Sequence, residues 1–181
     1  MRPQPVYIVD IIGEVVARTE AAVLAELQLA DSTITGINYQ YGGYKEITDT
    51  LTQMTKANAP KYPLFYLYMP FEEDKGSDVG LDQTSPLRII IGMWSEPNPK
   101  ANERYLQNFK KILYPVYLEF LNQLNLDSRF LTQSAELIPH RKTDWPYWGG
   151  DNPPEGANPF NDWVDVIEIK NLRLQTYLKN C

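Results

Sequence analysis

The chain has 181 residues, of which 43% are hydrophobic and 22% are charged, and its formal net charge is −6. This composition is typical of a globular protein, and the length predicts one domain spanning residues 1–181 that buries a core without disulfides or metals. The negative charge argues against a protein that binds nucleic acid by neutralising phosphates, because such proteins carry a clustered basic surface.

The compartment is indicated by what the sequence lacks. Its single cysteine, Cys181, excludes an intramolecular disulfide, which fits a reducing environment. The N-terminal residues contain no apolar stretch typical of a signal peptide, and no apolar run approaches the ~18 residues of a membrane span. We therefore expect a soluble protein that is made in the cytoplasm and contacts no membrane.

The first half of the chain predicts two helices and three strands. Apolar residues recur at steps of three and four over 6–29 and over 44–56, which indicates helices. Residues 34–41 alternate apolar and polar side chains, and the aromatic-rich run 62–69 carries no charge, so both are expected to be strands. The run 87–94 predicts a further strand that pairs with 62–69, and the polar residues 72–85 between them are expected to form a loop.

The second half predicts one long helix and one long strand. Residues 101–126 carry a broad apolar stripe, and Pro115 within it predicts a kink or a break near Tyr114. Residues 127–144 show no clear pattern. Residues 163–177 predict a last strand, in which the alternation changes phase at Asn171 as it does at a bulge.

The order of these elements defines the expected fold class. Few helices, several strands and no regular alternation between them are typical of an α+β fold. We expect a mostly antiparallel sheet with helices packed on one face, and a long arm rich in Trp, Pro and Gly before the last strand.

This arm, residues 145–162, is the most unusual part of the sequence. Its letters, with Trp163 after it, read WPYWGGDNPPEGANPFNDW, and its four prolines exclude a helix or an internal strand. Loops lie at the surface, where large aromatic side chains are not concentrated unless they bury against something. The arm is therefore a lid on its own domain, a platform for a sugar, or a docking arm for another protein.

Protein docking is favoured over sugar binding, because interfaces are enriched in Trp and Tyr and no secretion signal is present. The lid remains a close alternative. The residues expected at a partner interface are Trp145, Tyr147, Trp148, Phe160 and Trp163.

A search for chemistry finds no catalytic pattern. The glycine pairs do not form a phosphate-binding loop, and one histidine with one cysteine cannot supply a zinc cage. The single histidine, His140, has no nucleophile context and is expected to be a surface or loop residue. The acidic run lacks the spacing of a calcium loop and is expected to be solvated; its members are Glu72, Glu73, Asp74, Asp78 and Asp82.

Asp165 and Glu168 in the last predicted strand also carry carboxylates. Because side chains alternate along a strand, these two are expected on opposite faces of the sheet and do not form an acid–base pair. Asp165 is interpreted as a structural hydrogen-bond acceptor. We predict no catalytic residue, no cofactor and no metal, and keep an enzyme that uses Asp or Glu with His140 as a third hypothesis.

Several phrases of the sequence resemble the tail-completion or tail-terminator proteins of tailed bacteriophages, and are similar to ring proteins of crAss-like phages. The resemblance covers most of the chain from residue 8 to residue 177, including the opening helix. Its phrases read GINYQYGGYKEITDTL, KYPLFYLYMPF, RIIIGMWSE, NERYLQNFKKILYPVYLEFLNQL and WVDVIEIKNLRLQTYL. The arm over 145–160 departs from the compact pattern of that family, so the resemblance assigns it no role.

The resemblance implies a structural subunit of the virion with no active site. Members of the family form a homo-oligomeric ring at the neck, between portal and tail, in contact with other neck proteins and with DNA only as passing cargo. It further implies assembly in the host cytoplasm and a place in the virion. The alternative is a binding module whose Trp145, Tyr147 and Trp148 hold a glycan or a partner protein.

Overall fold

The computed structural model describes residues 7–74, 81–84, 86–96, 100–130, 138–146 and 164–177. No helix in these ranges is both long enough and apolar enough to cross a membrane. Tyr105–Leu113 is a π-helix, π1, which continues without interruption from one flanking α-helix into the other, so we call residues 101–126 the composite helix. The elements are α1 (Ile8–Ala30), β1 (Asn38–Gly42), α2 (Tyr44–Lys56), β2 (Leu64–Tyr68), β3 (Glu73–Asp74), β4 (Leu81–Thr84), β5 (Leu87–Trp94), α3 (Ala101–Arg104), π1, α4 (Tyr114–Leu126), β6 (Arg141–Trp145), β7 (Val164–Leu172) and β8 (Gln175–Tyr177).

The main sheet has five strands in the order β1-β2-β5-β7-β6. β1 and β2 are parallel and are connected by α2, while the other three neighbouring pairs are antiparallel. The predicted α+β class with a mostly antiparallel sheet is confirmed, as is the pairing of 62–69 with 87–94.

The sheet is covered by helices on both faces. Alternate residues on its strands pack with α1 and the composite helix in the larger apolar cluster, on what we call the α1 face; they include Phe65, Leu67, Ile89, Ile91, Ile167 and Ile169. The intervening residues pack with Ile47 and Leu51 of α2 on the opposite, α2 face; they include Leu64, Tyr66, Ile90, Val164 and Val166. The prediction that helices pack on one face therefore holds for α1 and the composite helix and is corrected for α2.

Two regions contain strands that the sequence does not predict. β3, β4 and β8 form a small antiparallel sheet, so residues 73–74 and 81–84 are strands rather than loop. β6 lies in residues for which the sequence gives no clear pattern. Both stretches are polar, so they lack the apolar alternation by which a strand is recognised locally.

Pro115 does not interrupt the composite helix. The N–H of Tyr114 donates to the carbonyl of Phe109, five residues earlier, and α-helical geometry resumes at Tyr114. Proline has no N–H to donate, and it is tolerated within the first turn of a helical segment. The change of helix type thus falls where the sequence predicts a kink or a break.

The predicted irregularity at Asn171 is confirmed. Between the paired positions Leu87–Leu172 and Ile89–Ile169, β7 contains one residue more than β5, which is a β-bulge. Asn171 has a φ of 59°, in the left-handed region. Asparagine enters this region more readily than most residues with a side chain, which explains its place in the bulge.

Candidate functional site

The structure places the root of the aromatic arm. Trp145 is the last residue of β6, the strand at one edge of the five-stranded sheet. The other residues expected at a partner interface lie outside the described residues; they are Tyr147, Trp148, Phe160 and Trp163. The expected interface is therefore described at Trp145 alone.

Trp145 is held against its own domain. Its half-buried indole packs on the apolar cluster of the α2 face. The indole Nε1 donates a hydrogen bond to Oε2 of Glu168, on the neighbouring strand β7, over 2.7 Å. The ammonium group of Lys170 lies 6.0 Å from the centre of the ring. Packing, a hydrogen bond and a cation thus fix the position from which the arm departs.

Glu168 is the centre of this arrangement. Its side chain is fully buried, and its carboxylate also contacts Nε of Arg88 at 2.6 Å and Nζ of Lys170 at 3.0 Å. A carboxylate removed from water is strongly unfavourable unless cations and hydrogen-bond donors surround it. Because three donors converge on it here, Glu168 serves as a structural anchor between β5, β6 and β7.

A second contact fixes the same strand from the α1 face. Asp144, next to Trp145, accepts a hydrogen bond from the hydroxyl of Tyr114 on α4 over 2.8 Å. Nζ of Lys142 contacts Asp144 at 2.5 Å and lies 4.5 Å from the centre of the Tyr114 ring. Burial, and then the hydrogen bond to Asp144, raise the pKa of Tyr114 to about 12. The root of the arm is therefore attached to the fold on both faces of the sheet.

Asp165 lies on the opposite face of the sheet from Glu168, as the alternation predicts. It is fully buried and paired with the guanidinium of Arg104, which is 2% exposed, and it accepts a hydrogen bond from Asn108 over 2.7 Å. These contacts confirm its interpretation as a structural acceptor. They connect α3 and π1 to β7, an inner strand of the sheet.

A cleft of about 490 Å³ opens beside this ion pair. Its walls come from the end of α1, the end of β5 and the composite helix, and include Asp31, Trp94, Glu96, Asn108 and Lys111. Trp94 is 47% exposed, and its carbonyl accepts a hydrogen bond from Asn108. The volume falls within the range of small-molecule pockets. Sequence reasoning did not find the cleft, because its walls come from three elements far apart in the chain.

His140 is occupied by structural contacts. Its Nδ1 lies 2.7 Å from the carbonyl oxygen of Ile138, so this nitrogen carries a proton and donates it. In the neutral ring, Nε2 then accepts the hydroxyl of Tyr117, also at 2.7 Å. Burial, and then the charge of Asp144, raise the pKa of Tyr117, so its phenol stays protonated. This pair orients β6 against α4 and provides no activated nucleophile.

Metal ligands do not gather in the described ranges, where no three side chains of His, Cys, Asp or Glu could jointly hold an ion. Of the acidic run, Glu72 is exposed, and the side chains of Glu73, Asp74, Asp78 and Asp82 lie outside the description.

Comparison with models of known protein families, and with curated proteins, finds no match to this chain.

Proposed function

We propose that this chain is a non-enzymatic structural subunit of a bacteriophage virion, forming a homo-oligomeric ring at the neck between head and tail. Its partners are further copies of itself and the adjacent neck proteins. It needs no cofactor or metal for this role, and DNA is only passing cargo.

One observation carries the proposal: the root of the arm is attached on both faces of the sheet. Trp145 is bound to Glu168 on the α2 face, and Asp144 is bound to Tyr114 on the α1 face. A fixed origin suits an arm that binds a neighbouring subunit, because any force on the arm passes through β6 into β7, an inner strand of the sheet.

The surface of the composite helix supports contacts with other chains. Four large apolar side chains project from it with about half or more of their area exposed: Tyr105, Leu106, Leu118 and Leu126. Large apolar side chains exposed along one helix support a surface that becomes covered on assembly.

The sequence segments that carry the resemblance form helices and strands of this fold. They occupy β1 with α2, β2, β5, the composite helix, and β7 with β8. They therefore describe packing rather than chemistry, which is what a structural ring protein shares with its relatives.

The proposal is tested by measuring the mass of the purified chain in solution by light scattering over a range of concentrations and by imaging the particles. We expect a closed ring of identical subunits. A chain that stays monomeric and enters neither a ring nor a virion contradicts the proposal.

The alternative is a tryptophan platform for a glycan or a partner protein. It is supported by the half-buried indole of Trp145, part of which remains accessible at the sheet edge. Titration with a glycan array, followed by tryptophan fluorescence, tests it. Quenching by a defined glycan would favour this reading over the ring, and an unchanged signal across the array contradicts it.

A further inference from the structure

We infer that two oppositely charged surfaces of this chain, lying on opposite faces of its sheet, bind each other between neighbouring copies. The inference rests on the proposed ring and identifies a contact within it. The first surface is the basic strip, which consists of Arg141, Thr143, Trp145 and Lys170. The second is the acidic stripe on α1, which consists of Asp10, Glu14, Ala17, Ala21, Ala25 and Gln28.

The basic strip brings two cations together. Arg141 on β6 lies directly opposite Lys170 on β7. Both point to the α2 face, because Lys170 contacts Glu168 there and Arg141 precedes Trp145 by four residues on the same strand. Residues directly opposite in an antiparallel pair have Cβ atoms about 4.5–5.5 Å apart, and like charges in this position are destabilising.

These cations are accessible to a partner. Arg141 is exposed and makes no ion pair within the described ranges, and the side chain of Lys170 is 42% exposed. Lys170 shares the carboxylate of Glu168 with Arg88, so among the described residues the three cations Arg88, Arg141 and Lys170 meet one carboxylate at this part of the α2 face. An acidic partner would relieve the repulsion between Arg141 and Lys170.

The acidic stripe has a matching arrangement. Its six residues follow one another at steps of three and four along α1, and all six are exposed. Asp10 and Glu14 are one turn apart, which places their Cβ atoms about 5–6 Å from each other. This separation matches that of the two cations. Glu14 contacts Arg129, but its side chain is 59% exposed, and surface pairs of this kind contribute little.

The three alanines make the stripe suitable for packing on a sheet. Ala17, Ala21 and Ala25 have no side chain beyond Cβ, so α1 can approach a flat surface closely. On the α2 face, α2 packs over Leu64, Ile90 and Val166. A helix from another copy would lie beside α2 over β6 and β7.

The location of the two surfaces determines the kind of assembly. The buried side of α1 packs on the α1 face, so its stripe points away from the sheet, whereas the basic strip lies on the α2 face. Complementary surfaces on opposite sides of one subunit produce a head-to-tail contact, which closes into a ring when the rotation between subunits allows.

A nucleic acid is the less favoured partner for the basic strip. Two cations neutralise few phosphates, and the chain as a whole has a net charge of −6. A second copy of an acidic protein supplies the opposite charge at the spacing that the strip requires.

Charge reversal tests the inference. Arg141→Glu/Lys170→Glu and Asp10→Lys/Glu14→Lys should each raise the protein concentration at half-assembly about tenfold or more. The quadruple variant carries both reversals, so it should assemble close to the wild-type concentration. Lys100→Glu/Lys110→Glu is the matched control for the first double variant, because it makes the same change in net charge at two exposed lysines that are not on α2. Circular dichroism and the thermal midpoint of each variant verify that it is folded.

The outcomes distinguish a failure of the proposed ring from a failure of this contact alone. If the wild-type chain forms no ring, the proposed function fails and this contact fails with it. If the wild-type ring forms and neither double reversal weakens it, or the quadruple variant does not recover, only the contact is contradicted. If the wild-type chain binds a single-stranded oligonucleotide and Arg141→Glu/Lys170→Glu abolishes this binding without affecting assembly, the strip serves nucleic acid and the inference is wrong.

Discussion

Arg104 and Asp165 form an ion pair in which both side chains are buried. We predict that Arg104→Met lowers the free energy of unfolding by about 3–5 kcal/mol, because it leaves a buried carboxylate without its cation. Arg104→Met/Asp165→Leu should recover most of this loss, since no charge then remains buried. The measurement is equilibrium denaturation in urea.

The exposed pair of Lys142 and Asp144 supplies the control for this prediction. Lys142→Ala removes an ion pair at the surface and should cost at most about 1 kcal/mol. An Arg104→Met variant as stable as Lys142→Ala would show that Asp165 does not depend on its cation.

Asp127 links stability to pH. Hydrogen bonds from the guanidinium of Arg129 lower the pKa of Asp127, and a hydrogen bond from Arg18 lowers it further. Burial acts in the opposite direction, but the pKa stays well below its usual value. The ionised carboxylate therefore stabilises the fold at neutral pH, and this contribution is lost as the pH falls from about 4, near the unfolded pKa, toward the folded one.

Asp127→Asn should accordingly be less stable than the wild type at neutral pH, and the difference should shrink under acid conditions. The measurement is the free energy of unfolding of both proteins across this range of pH. A difference that stays constant down to strong acid would contradict the role of Asp127 in this dependence.

At the scale of the element, the bulge in β7 depends on one backbone conformation. Asn171 has a positive φ, which a β-branched residue adopts only at a cost of about 1–3 kcal/mol. Asn171→Val should destabilise the protein by this amount, while Asn171→Gly should change stability by less than about 0.5 kcal/mol. Thermal denaturation distinguishes them, and equal midpoints for the two variants would mean that the bulge is not strained.

Elements with strong local signals could be predicted from the sequence. The bounds of α2 and β5 agree with the predicted 44–56 and 87–94, because apolar periodicity and flanking glycine or proline residues mark both. β6 could not be predicted, since its sequence RKTDW has no apolar alternation and its pairing comes from β7. The sequence also could not predict which face of the sheet α2 covers, because helical periodicity shows which side of a helix is buried but not which partner buries it.

At the scale of the whole molecule, two tryptophans of the arm are expected to differ. Trp145 packs on its own domain and donates to Glu168, so Trp145→Ala should lower the thermal midpoint of the isolated chain. Trp148→Ala should instead weaken assembly by about 2 kcal/mol or more with little effect on folding, as expected for an interface anchor. Parallel melting and assembly measurements test this. A Trp148→Ala variant that melts early, with assembly falling in proportion, would favour the lid.

The site was less predictable than the fold. The sequence indicated Trp145 as a candidate interface residue. It also placed Asp165 and Glu168 on opposite faces of the sheet, since alternation along one strand is a local property. It could not pair Asp165 with Arg104, which is 61 residues away, or bring Arg88 to Glu168 across 80 residues. Such contacts depend on the order of strands in the sheet, which no local pattern records.

That order has a consequence for the synthesis of the chain. β7 lies between β5 and β6, although it follows both of them in the sequence. Ribosomes add ~5–20 residues per second, so the apolar strand β5 waits roughly 4–15 s for its second neighbour. During this interval it presents open hydrogen-bonding groups beside isoleucine side chains, the kind of edge on which nascent chains aggregate. Chaperone binding would therefore matter most for this protein between the emergence of Trp94 and that of Leu172.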